Sequence, residues 1–250
     1  MDAEKPPVVD RISFLKVPID ILPPECMADK IYEMVNSKRG QNIVLLSLWD
    51  LLRARRNEEY RSYVLNAGLV IPISKSIVGG ARFLTGKTPI RYMPFDFVIQ
   101  LLTILEKREF SVYLLGGAQK NLLKVEKNIR QTFVRLRIVG RYSSAFKRQK
   151  QGIILEAVRK ASPSLLLISK GVRGKERWIP RNSANLNQGL RMWCSDLFEV
   201  FAEKRRRPSR KVFERGLEWI GFCIHKPWHI LRIFLYFYYK ILLVIHRLFK

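Results

Sequence analysis

Acidic side chains are scarce in this 250-residue chain. It has 21 aspartates and glutamates against 46 lysines and arginines, which gives a formal net charge of +25. Charged residues make up 27% of the chain, close to the average for soluble proteins, so the sign of the charge is unusual and its density is not. A surplus of this size indicates a phosphate-bearing partner, either nucleic acid or anionic lipid.

Cysteine and histidine are also rare, with three of each. Cys26, Cys194 and Cys223 are widely spaced and form no Cys-x-x-Cys pair, which argues against a disulfide framework and against structural zinc. All the histidines lie near the C-terminal end, so the body has none for a histidine-centred catalytic triad. The first residues carry acids and prolines instead of a secretory signal, and we expect the body to stay in the reducing cytoplasm.

Short apolar segments alternate with amphipathic ones through the body of the chain. Hydrophobic residues make up 48% of the sequence, which is ample for a packed core. Strands are predicted over residues 43–46, 69–71, 111–115, 136–139 and 165–168, and helices over residues 48–67, 95–107, 120–133 and 152–160. This alternation is typical of an α/β parallel sheet with helices on both faces, which binds ligands at the carboxyl ends of its strands.

The turn after the strand at 111–115 is the main candidate for a ligand loop. Gly116 and Gly117 stand between that strand and a helix, where backbone amides and a helix N-terminus could hold a nucleotide diphosphate. A tight turn that needs positive φ would account for the same two glycines. Gly86-Lys87-Thr88 resembles the end of a P-loop but lacks the required first glycine, so we reject it.

Few carboxylates lie in predicted loops, where a group that takes part in acid–base chemistry is expected. Glu176 follows a strand and could accept a hydrogen bond from a sugar or ribose hydroxyl, although a solvated charge beside its basic neighbours would look the same in sequence. Asp96 could act as a base or could merely cap the following helix. Asp196, and Asp50 on a predicted helix, complete the eligible set.

The C-terminal end is the most basic part of the chain. Residues 203–250 hold twelve lysines and arginines against three glutamates, and residues 228–249 are as long as a bilayer-spanning helix. Polar residues nevertheless recur in one narrow helical stripe, formed by His225, His229, Arg232, Tyr236, Lys240 and Arg247. We predict a helix lying among lipid headgroups, with a spanning helix and a helix docked on the protein's own core as alternatives.

Several motifs together resemble the WecG/TagA/CpsF family of glycosyltransferases. They are Leu114-Leu-Gly-Gly117, Leu136-Arg-Ile-Val-Gly140, Gly171 through Glu176-Arg-Trp178, Arg207-Pro208, Gly216-Leu-Glu-Trp219, and Pro227 with Arg232. The resemblance implies a GT-E, Rossmann-like fold without a metal or cofactor. It also implies transfer of an N-acetylhexosamine or N-acetylmannosaminuronic acid from a UDP-sugar to a polyprenyl-diphosphate-linked acceptor.

The resemblance further implies a division of the chain and a set of site residues. A glycosyltransferase domain over residues 1–202 would carry a membrane-binding appendage over residues 203–250, at the cytoplasmic face of the inner membrane. The nucleotide-sugar site would use Gly116, Gly117, Gly171 and Glu176. The acceptor diphosphate would meet arginines of the appendage, namely Arg207, Arg210, Arg215 and Arg232. The oligomeric state stays open.

One departure from the family pattern concerns the catalytic base. The family places an aspartate where this chain has Ile73, and isoleucine cannot accept a proton. Asp96, which keeps another family aspartate position, is the predicted substitute, and the acceptor diphosphate acting as its own base is the alternative. A pseudoenzyme that serves as a membrane-bound scaffold is the second functional hypothesis. Nucleic-acid binding rests on charge alone and lacks an aromatic platform, so no nucleic-acid partner is predicted.

Overall fold

The computed structural model describes residues 8–144, 146, 148–186, 188–207, 209–216 and 232–249. The side chains of Arg148, Arg232 and Ile233 are not part of this description. The predicted polar stripe therefore loses His225 and His229, and the family-like segments at Pro208, 217–219 and Pro227 also lie outside the described residues.

A six-stranded parallel sheet forms the centre of the fold. The strands are β1 (Asp10–Phe14), β2 (Val17–Ile21), β3 (Gln41–Leu46), β4 (Leu69–Pro72), β5 (Ser111–Leu115), β6 (Arg137–Tyr142), β7 (Leu165–Ser169) and β8 (Leu190–Ser195). β1 and β2 make an antiparallel hairpin, and the others are ordered β4-β3-β8-β7-β5-β6 with every pair parallel. β4 and β7 are buried along their whole length, as expected when helices cover both faces.

The helices pack on the two faces of this sheet. They are α1 (Met27–Val35), α2 (Leu48–Arg56), α3 (Glu58–Leu65), α4 (Lys75–Thr85), α5 (Pro94–Glu106), α6 (Gln119–Thr132), α7 (Gln151–Ala161), α8 (Trp178–Asn182), α9 (Leu197–Phe201), α10 (Arg210–Arg215) and α11 (Arg232–Leu248). One core includes side chains of α2, α3, α4, α7 and α11, and the other includes side chains of α1, α5, α6 and α9. The predicted α/β fold with helices on both faces is confirmed.

Two predicted elements, one helix and one strand, depart furthest from their expected bounds. The helix predicted over residues 48–67 is wrong, because Asn57 adopts an extended backbone that ends α2, and its side chain accepts a hydrogen bond from the Tyr60 amide to start α3. The strand predicted to end before Gly140 continues to Tyr142. Gly140 permits this because the ring of Tyr113 occupies the space that a Cβ would fill.

The hairpin covers the β4 edge of the sheet through a buried aspartate. The carboxylate of Asp20 accepts hydrogen bonds from Arg11 Nε at 2.6 Å and Arg11 Nη2 at 2.8 Å. It also accepts one from the backbone amide of Val70, in β4, at 2.6 Å. Only 2% of Asp20 is exposed, so these donors replace water for a carboxylate inside the protein.

The C-terminal helix α11 packs on α4 through a fully buried tyrosine. The Tyr239 hydroxyl donates to the carbonyl of Ser76 at 2.6 Å, and a Cβ at Gly80 would collide with this hydroxyl. Leu243, one turn further along α11, is also buried. This face of α11 therefore docks on the protein's own core, as in one of the alternative interpretations, and contact of the helix with lipid headgroups stays a prediction.

The opposite face of α11 is apolar and exposed. It consists of Phe234, Phe237, Ile241, Val244, Ile245 and Leu248, with exposed fractions from 47% to 75%. Two cations lie beside this face. Lys240 lies over the Tyr236 ring, and Arg247 lies over the ring of Phe83 in α4. No helix in the described ranges combines the length and hydropathy needed to cross a bilayer.

Candidate active site

The turns that follow the parallel strands meet at one edge of the sheet. Ser47 follows β3, Ile73 follows β4, Gly116 follows β5 and Gly171 comes shortly after β7. β3 and β4 are neighbours, and the Ile73 amide donates to the Leu46 carbonyl at 3.0 Å. This carboxyl edge is where parallel α/β sheets bind ligands, and it contains the predicted nucleotide-sugar residues.

Hydrogen bonds join the turns after β5, β6 and β7 into one unit. The Gly117 carbonyl accepts from the amide of Ser144 at 2.9 Å and from its hydroxyl at 3.0 Å. The Gly117 amide donates to the Lys170 carbonyl at 2.9 Å, and the Gly116 amide donates to the Tyr142 carbonyl at 2.8 Å. Both glycine amides are thus engaged within the fold, so a diphosphate bound here would rely on the first amides of α6.

The backbone conformation explains why glycine occupies three of these turn positions. Gly116, Gly117 and Gly171 have φ angles of +117°, +69° and +94°. A Cβ on Gly116 would lie 2.7 Å from the Ser169 carbonyl oxygen of the neighbouring strand. The tight-turn interpretation therefore accounts for these residues, and their contact with a nucleotide sugar stays a prediction.

Gly116→Ala is expected to lower the free energy of unfolding by about 2–4 kcal/mol, from unfavourable positive φ and from overpacking against β7. Urea unfolding followed by circular dichroism measures this change. Gly152→Ala, in α7, is the control, because no atom lies within 4 Å of the Cβ it adds and the backbone there is helical. An equal loss of stability in both variants would contradict the steric argument.

Glu176 lies inside the protein and not in solvent. It sits in a short 3-10 turn after β7, is 7% exposed, and forms an ion pair with Arg53 of α2. The Arg53 guanidinium also stacks 4.2 Å from the ring centre of Tyr60. The interpretation of Glu176 as a solvated charge is wrong, and its carboxylate faces α2 and α3 at the carboxyl edge.

Asp50 lies close to Glu176, in the first turn of α2. Its Oδ2 accepts hydrogen bonds from the amide of Ser47 at 3.0 Å and from the Ser47 hydroxyl, while the Ser47 hydroxyl accepts from the Asp50 amide. Burial raises the pKa of Asp50, and the negative charge of Glu176 raises this pKa further. Two carboxylates from distant parts of the sequence are therefore electrostatically coupled at this edge.

Asp96 and Arg207 are brought together by the fold. Asp96 is in the first turn of α5, and its carboxylate lies 3.3 Å from Arg207 Nη1. Arg207 also lies over the ring of Phe95, at 5.8 Å from its centre. Met93 is the N-cap residue of α5, so the interpretation of Asp96 as an N-cap is wrong, and its role as base stays a prediction.

The remaining arginines of the appendage follow on α10. Arg210 is exposed and pairs with Glu214 at 2.9 Å, while Arg215 ends the helix. Lys75 Nζ donates to the carbonyls of Glu214 and Arg215 at 3.3 and 3.4 Å, which ties α10 to the start of α4. The side chain of Arg232 lies outside the described residues, so the structure places only its helical position.

Arg91 connects Ile73, which stands where the family pattern has an aspartate, to α10 of the appendage. Its Nε donates to the Ile73 carbonyl at 3.0 Å, and its Nη1 donates to the Phe213 carbonyl in α10 at 2.5 Å. Its guanidinium stacks 3.7 Å from the centre of the Phe213 ring, and burial lowers its pKa to about 10. The appendage therefore begins beside the edge that holds the candidate site residues.

A cavity of about 320 Å³ opens beside the Glu176 turn. It is lined by Gln151, Arg173, Gly174, Trp178, Arg181 and Asn182. Arg181 is held by Glu59 of α3 through contacts of 2.5 and 2.8 Å.

Sequence patterns identified Glu176 but not Arg53, its ion-pair partner. The two residues stand 123 positions apart, and no spacing rule connects them.

The fold and the position of the site define a class of protein. A parallel sheet covered on both faces, with its glycine turns and coupled carboxylates at the carboxyl edge, is a Rossmann-like α/β domain of the kind that binds nucleotides. A sequence model described as the glycosyl transferase WecG/TagA/CpsF family matches residues 12–250. The chain therefore belongs to this family of glycosyltransferases.

A curated relative is more specific about chemistry. It is the N-acetylglucosaminyldiphosphoundecaprenol N-acetyl-beta-D-mannosaminyltransferase of Bacillus subtilis (strain 168). The two proteins are 21% identical over 195 residues, which is 78% of this chain and 75% of the relative. Its name describes transfer of an N-acetylmannosaminyl group to a diphosphoundecaprenol-linked sugar.

Proposed function

We propose that this glycosyltransferase moves an N-acetylhexosamine-type sugar from a UDP-sugar to a polyprenyl-diphosphate-linked acceptor, in cell-envelope polysaccharide synthesis. Membership of the family and the name of the relative support the type of reaction. The observation that carries the proposal is the exposed apolar face of α11, because a lipid-linked acceptor requires the enzyme to work at a membrane surface.

The membrane part of the proposal rests on the two faces of α11. Tyr239 fixes one face to α4, and the opposite face presents six large apolar side chains outward. A contiguous exposed apolar surface flanked by cations fits an anionic bilayer, where Lys240 and Arg247 reach lipid phosphates. Residues 203–250 then serve as the membrane-binding appendage of a catalytic domain over residues 1–202, at the cytoplasmic face of the inner membrane.

The acceptor diphosphate is assigned to the arginines of this appendage. Arg207 and Arg210 now pair with carboxylates that are themselves 46% and 60% exposed. Such exposed ion pairs contribute little stability, so exchanging them for a diphosphate costs little. Arg215, at the end of α10, and Arg232, at the start of α11, complete the set.

The donor is assigned to the turns after β5 and β7. The N-terminus of α6, directly after Gly116 and Gly117, supplies backbone amides and the positive end of a helix dipole for the UDP diphosphate. Gly171 lies on the adjoining turn, against Ser144. Arg53 engages Oε1 of Glu176, and Oε2 is available to accept from a sugar or ribose hydroxyl.

Turnover with a defined acceptor tests the proposal. The full chain is incubated on anionic vesicles with a polyprenyl-diphosphate-linked N-acetylglucosamine and a panel of UDP-N-acetylhexosamines, and product is measured by mass spectrometry. Formation of a lipid-linked disaccharide is expected. The scaffold alternative is motivated by Ile73, and it predicts UDP-sugar binding by calorimetry without turnover. Failure of both binding and turnover would contradict both functions.

The double substitution Phe237→Asp with Ile241→Asp is expected to weaken partitioning onto anionic vesicles by about 100-fold. Each apolar side chain loses at least ~1.4 kcal/mol of burial in lipid, which is a factor of ten in the partition constant. Vesicle co-sedimentation measures the change. Val134→Asp, an apolar residue that is 83% exposed in the loop before β6, is the control and should leave partitioning unchanged. Equal loss in the control would contradict a specific membrane face.

A further inference from the structure

We propose that Asp50 is the general base that deprotonates the acceptor hydroxyl, in place of the predicted Asp96. This inference rests on the proposed transfer reaction and names a residue for it. Three sets of observations carry it: the position of Asp50 beside Ile73, the surroundings of its carboxylate, and buried donor atoms without hydrogen-bond partners among the described residues. Of these donors, Tyr63 is close to Asp50 and the others adjoin Glu176.

The position of Asp50 near Ile73 follows from the pairing of two neighbouring strands. Leu46 at the end of β3 pairs with Pro72 at the end of β4, and the Ile73 amide donates to the Leu46 carbonyl. The turn at Ser47, which starts α2, therefore lies directly beside Ile73. Asp50 is in the first turn of that helix, so it brings a carboxylate to the neighbourhood where the family pattern has its aspartate.

The surroundings of Asp50 suit a proton acceptor. Both Ser47 donors go to Oδ2, and the Tyr60 hydroxyl also donates to this carboxylate; a carboxylate has about four lone-pair positions, so one stays open to a substrate proton. Asp50 is half-buried as a residue and lies in the first turn of α2, at the carboxyl edge. Burial and the neighbouring Glu176 charge raise its pKa, and a higher pKa makes the carboxylate a stronger base.

Buried donors near the two carboxylates point to a hydroxyl-bearing ligand. The Tyr63 hydroxyl, Arg177 Nε and Trp178 Nε1 are buried and have no hydrogen-bond partner among the described residues. Tyr63 is 3% exposed and Trp178 is 2% exposed, and the Tyr63 hydroxyl is electrostatically coupled to both Asp50 and Glu176. Buried polar groups are rarely left unpaired, and Trp178 also lines the 320 Å³ cavity. A sugar supplies the acceptor oxygens that these donors lack.

Asp96 is less suited to the same task. Its side chain is 46% exposed, and its carboxylate is already engaged by Arg207. Arg207 is also one of the arginines assigned to the acceptor diphosphate. Asp96 and Arg207 thus fit a common role in holding phosphate-bearing substrate, with Asp96 orienting the arginine.

The chemical step is a displacement at the anomeric carbon of the donor. The acceptor hydroxyl oxygen forms a bond to that carbon while the bond from the carbon to the nucleotide phosphate oxygen breaks. The hydroxyl proton passes to Asp50, and the electron pair of the broken bond leaves with the nucleoside diphosphate. The proton later returns to solvent, so Asp50 is regenerated without any further reactant.

Asp50→Asn tests the proposal, because the amide keeps the shape of the side chain and an oxygen for the Ser47 amide but cannot take a proton. We expect kcat to fall by about 10²- to 10⁴-fold, the usual contribution of a general base, with KM little changed. Asp29→Asn, in the exposed first turn of α1, is the control for losing a charge at a helix start and should keep wild-type kcat. Circular dichroism and UDP-sugar calorimetry show whether each variant is folded and binds donor.

The pH profile separates a base from a structural residue. The wild-type rate should fall on the acid side of an apparent pKa above the ordinary aspartate value of about 3.9, because only the ionised form accepts a proton. Asp50→Glu should shift this acid limb and retain part of the rate, and Asp50→Asn should abolish the limb. An unshifted limb in Asp50→Glu, or an Asp50→Asn variant with near wild-type kcat, would overturn the proposal.

Failure of the inference differs from failure of the proposed function. Wild-type turnover that survives Asp50→Asn but is lost in Asp96→Asn would return the base to Asp96 and leave the proposed function intact. A wild-type chain that binds UDP-sugar but transfers nothing would refute the transferase function, and the assignment of Asp50 would fall with it.

Discussion

Gly80→Leu is expected to detach α11 from α4 and to lower transfer to a vesicle-borne acceptor at least tenfold. A side chain at Gly80 collides with the Tyr239 hydroxyl and comes within 2.8 Å of Phe14 Cζ. Overpacking of this kind costs about 1–3 kcal/mol, and 1.4 kcal/mol is already a factor of ten in the docking equilibrium. Hydrogen exchange of the amides in residues 232–248 measures the detachment.

The adjacent glycine provides a matched control. Gly79→Leu adds the same side chain to the same helix, but no atom lies within 4 Å of its Cβ and the position is exposed. Its exchange rates and transfer rate should match those of the wild type. Vesicle binding should persist in both variants, because the apolar face of α11 is unchanged. Loss of transfer in both variants would contradict the prediction that transfer depends on the docking of α11 against Gly80.

Asp20→Ala is expected to lower the free energy of unfolding by about 2–3 kcal/mol, mainly because it leaves the buried Val70 amide without its acceptor, whereas the Arg11 side chain is 42% exposed and can be rehydrated. The substitution leaves the Val70 amide and the Arg11 guanidinium without the carboxylate that now receives their hydrogen bonds. Because Asp20 joins the hairpin to β4, the sheet edge should also open. Urea unfolding and hydrogen exchange of the Val70 amide measure the two effects.

Asp10→Ala is the control for that prediction. Asp10 lies on the neighbouring rung of the same hairpin ladder, opposite Ile21, and forms an ion pair with Lys87, but both side chains are about half exposed. An exposed pair of this kind contributes about 0–1 kcal/mol, so the variant should unfold within that range of the wild type. A similar loss in both variants would mean that the hairpin, and not the buried carboxylate, determines stability.

Most of the sheet could be predicted from sequence because its strands are short apolar runs between glycine-containing turns. β5 has the predicted bounds, and β7 differs from prediction by one residue. β8 was not predicted, because Arg191 interrupts its apolar run, and only the fold shows that this arginine is buried. The hairpin β1–β2 was also missed, since its charged Arg11 and Asp20 satisfy each other across the ladder.

The candidate site was predictable only where a single local motif determines it. The glycine turn at residues 116 and 117 is such a motif, and the structure gives both glycines positive φ. The coupling of Asp50 to Glu176 depends on two segments that meet only in the folded chain, so no local pattern reveals it. The same holds for Arg91, which links Ile73 to Phe213 across 140 residues of sequence.

The hydrogen bond from Tyr239 to Ser76 also has a consequence for geometry. An isolated peptide with the sequence of α11 would be free to roll about its long axis and to choose its own depth in a bilayer. In this chain the phenol fixes the roll angle of α11 relative to α4, so under the proposed membrane association the protein body would determine which side chains face the lipid. On that proposal, the tilt of the whole molecule and the height of the candidate site above the headgroups would both depend on the hydrogen bond between this phenol and this carbonyl.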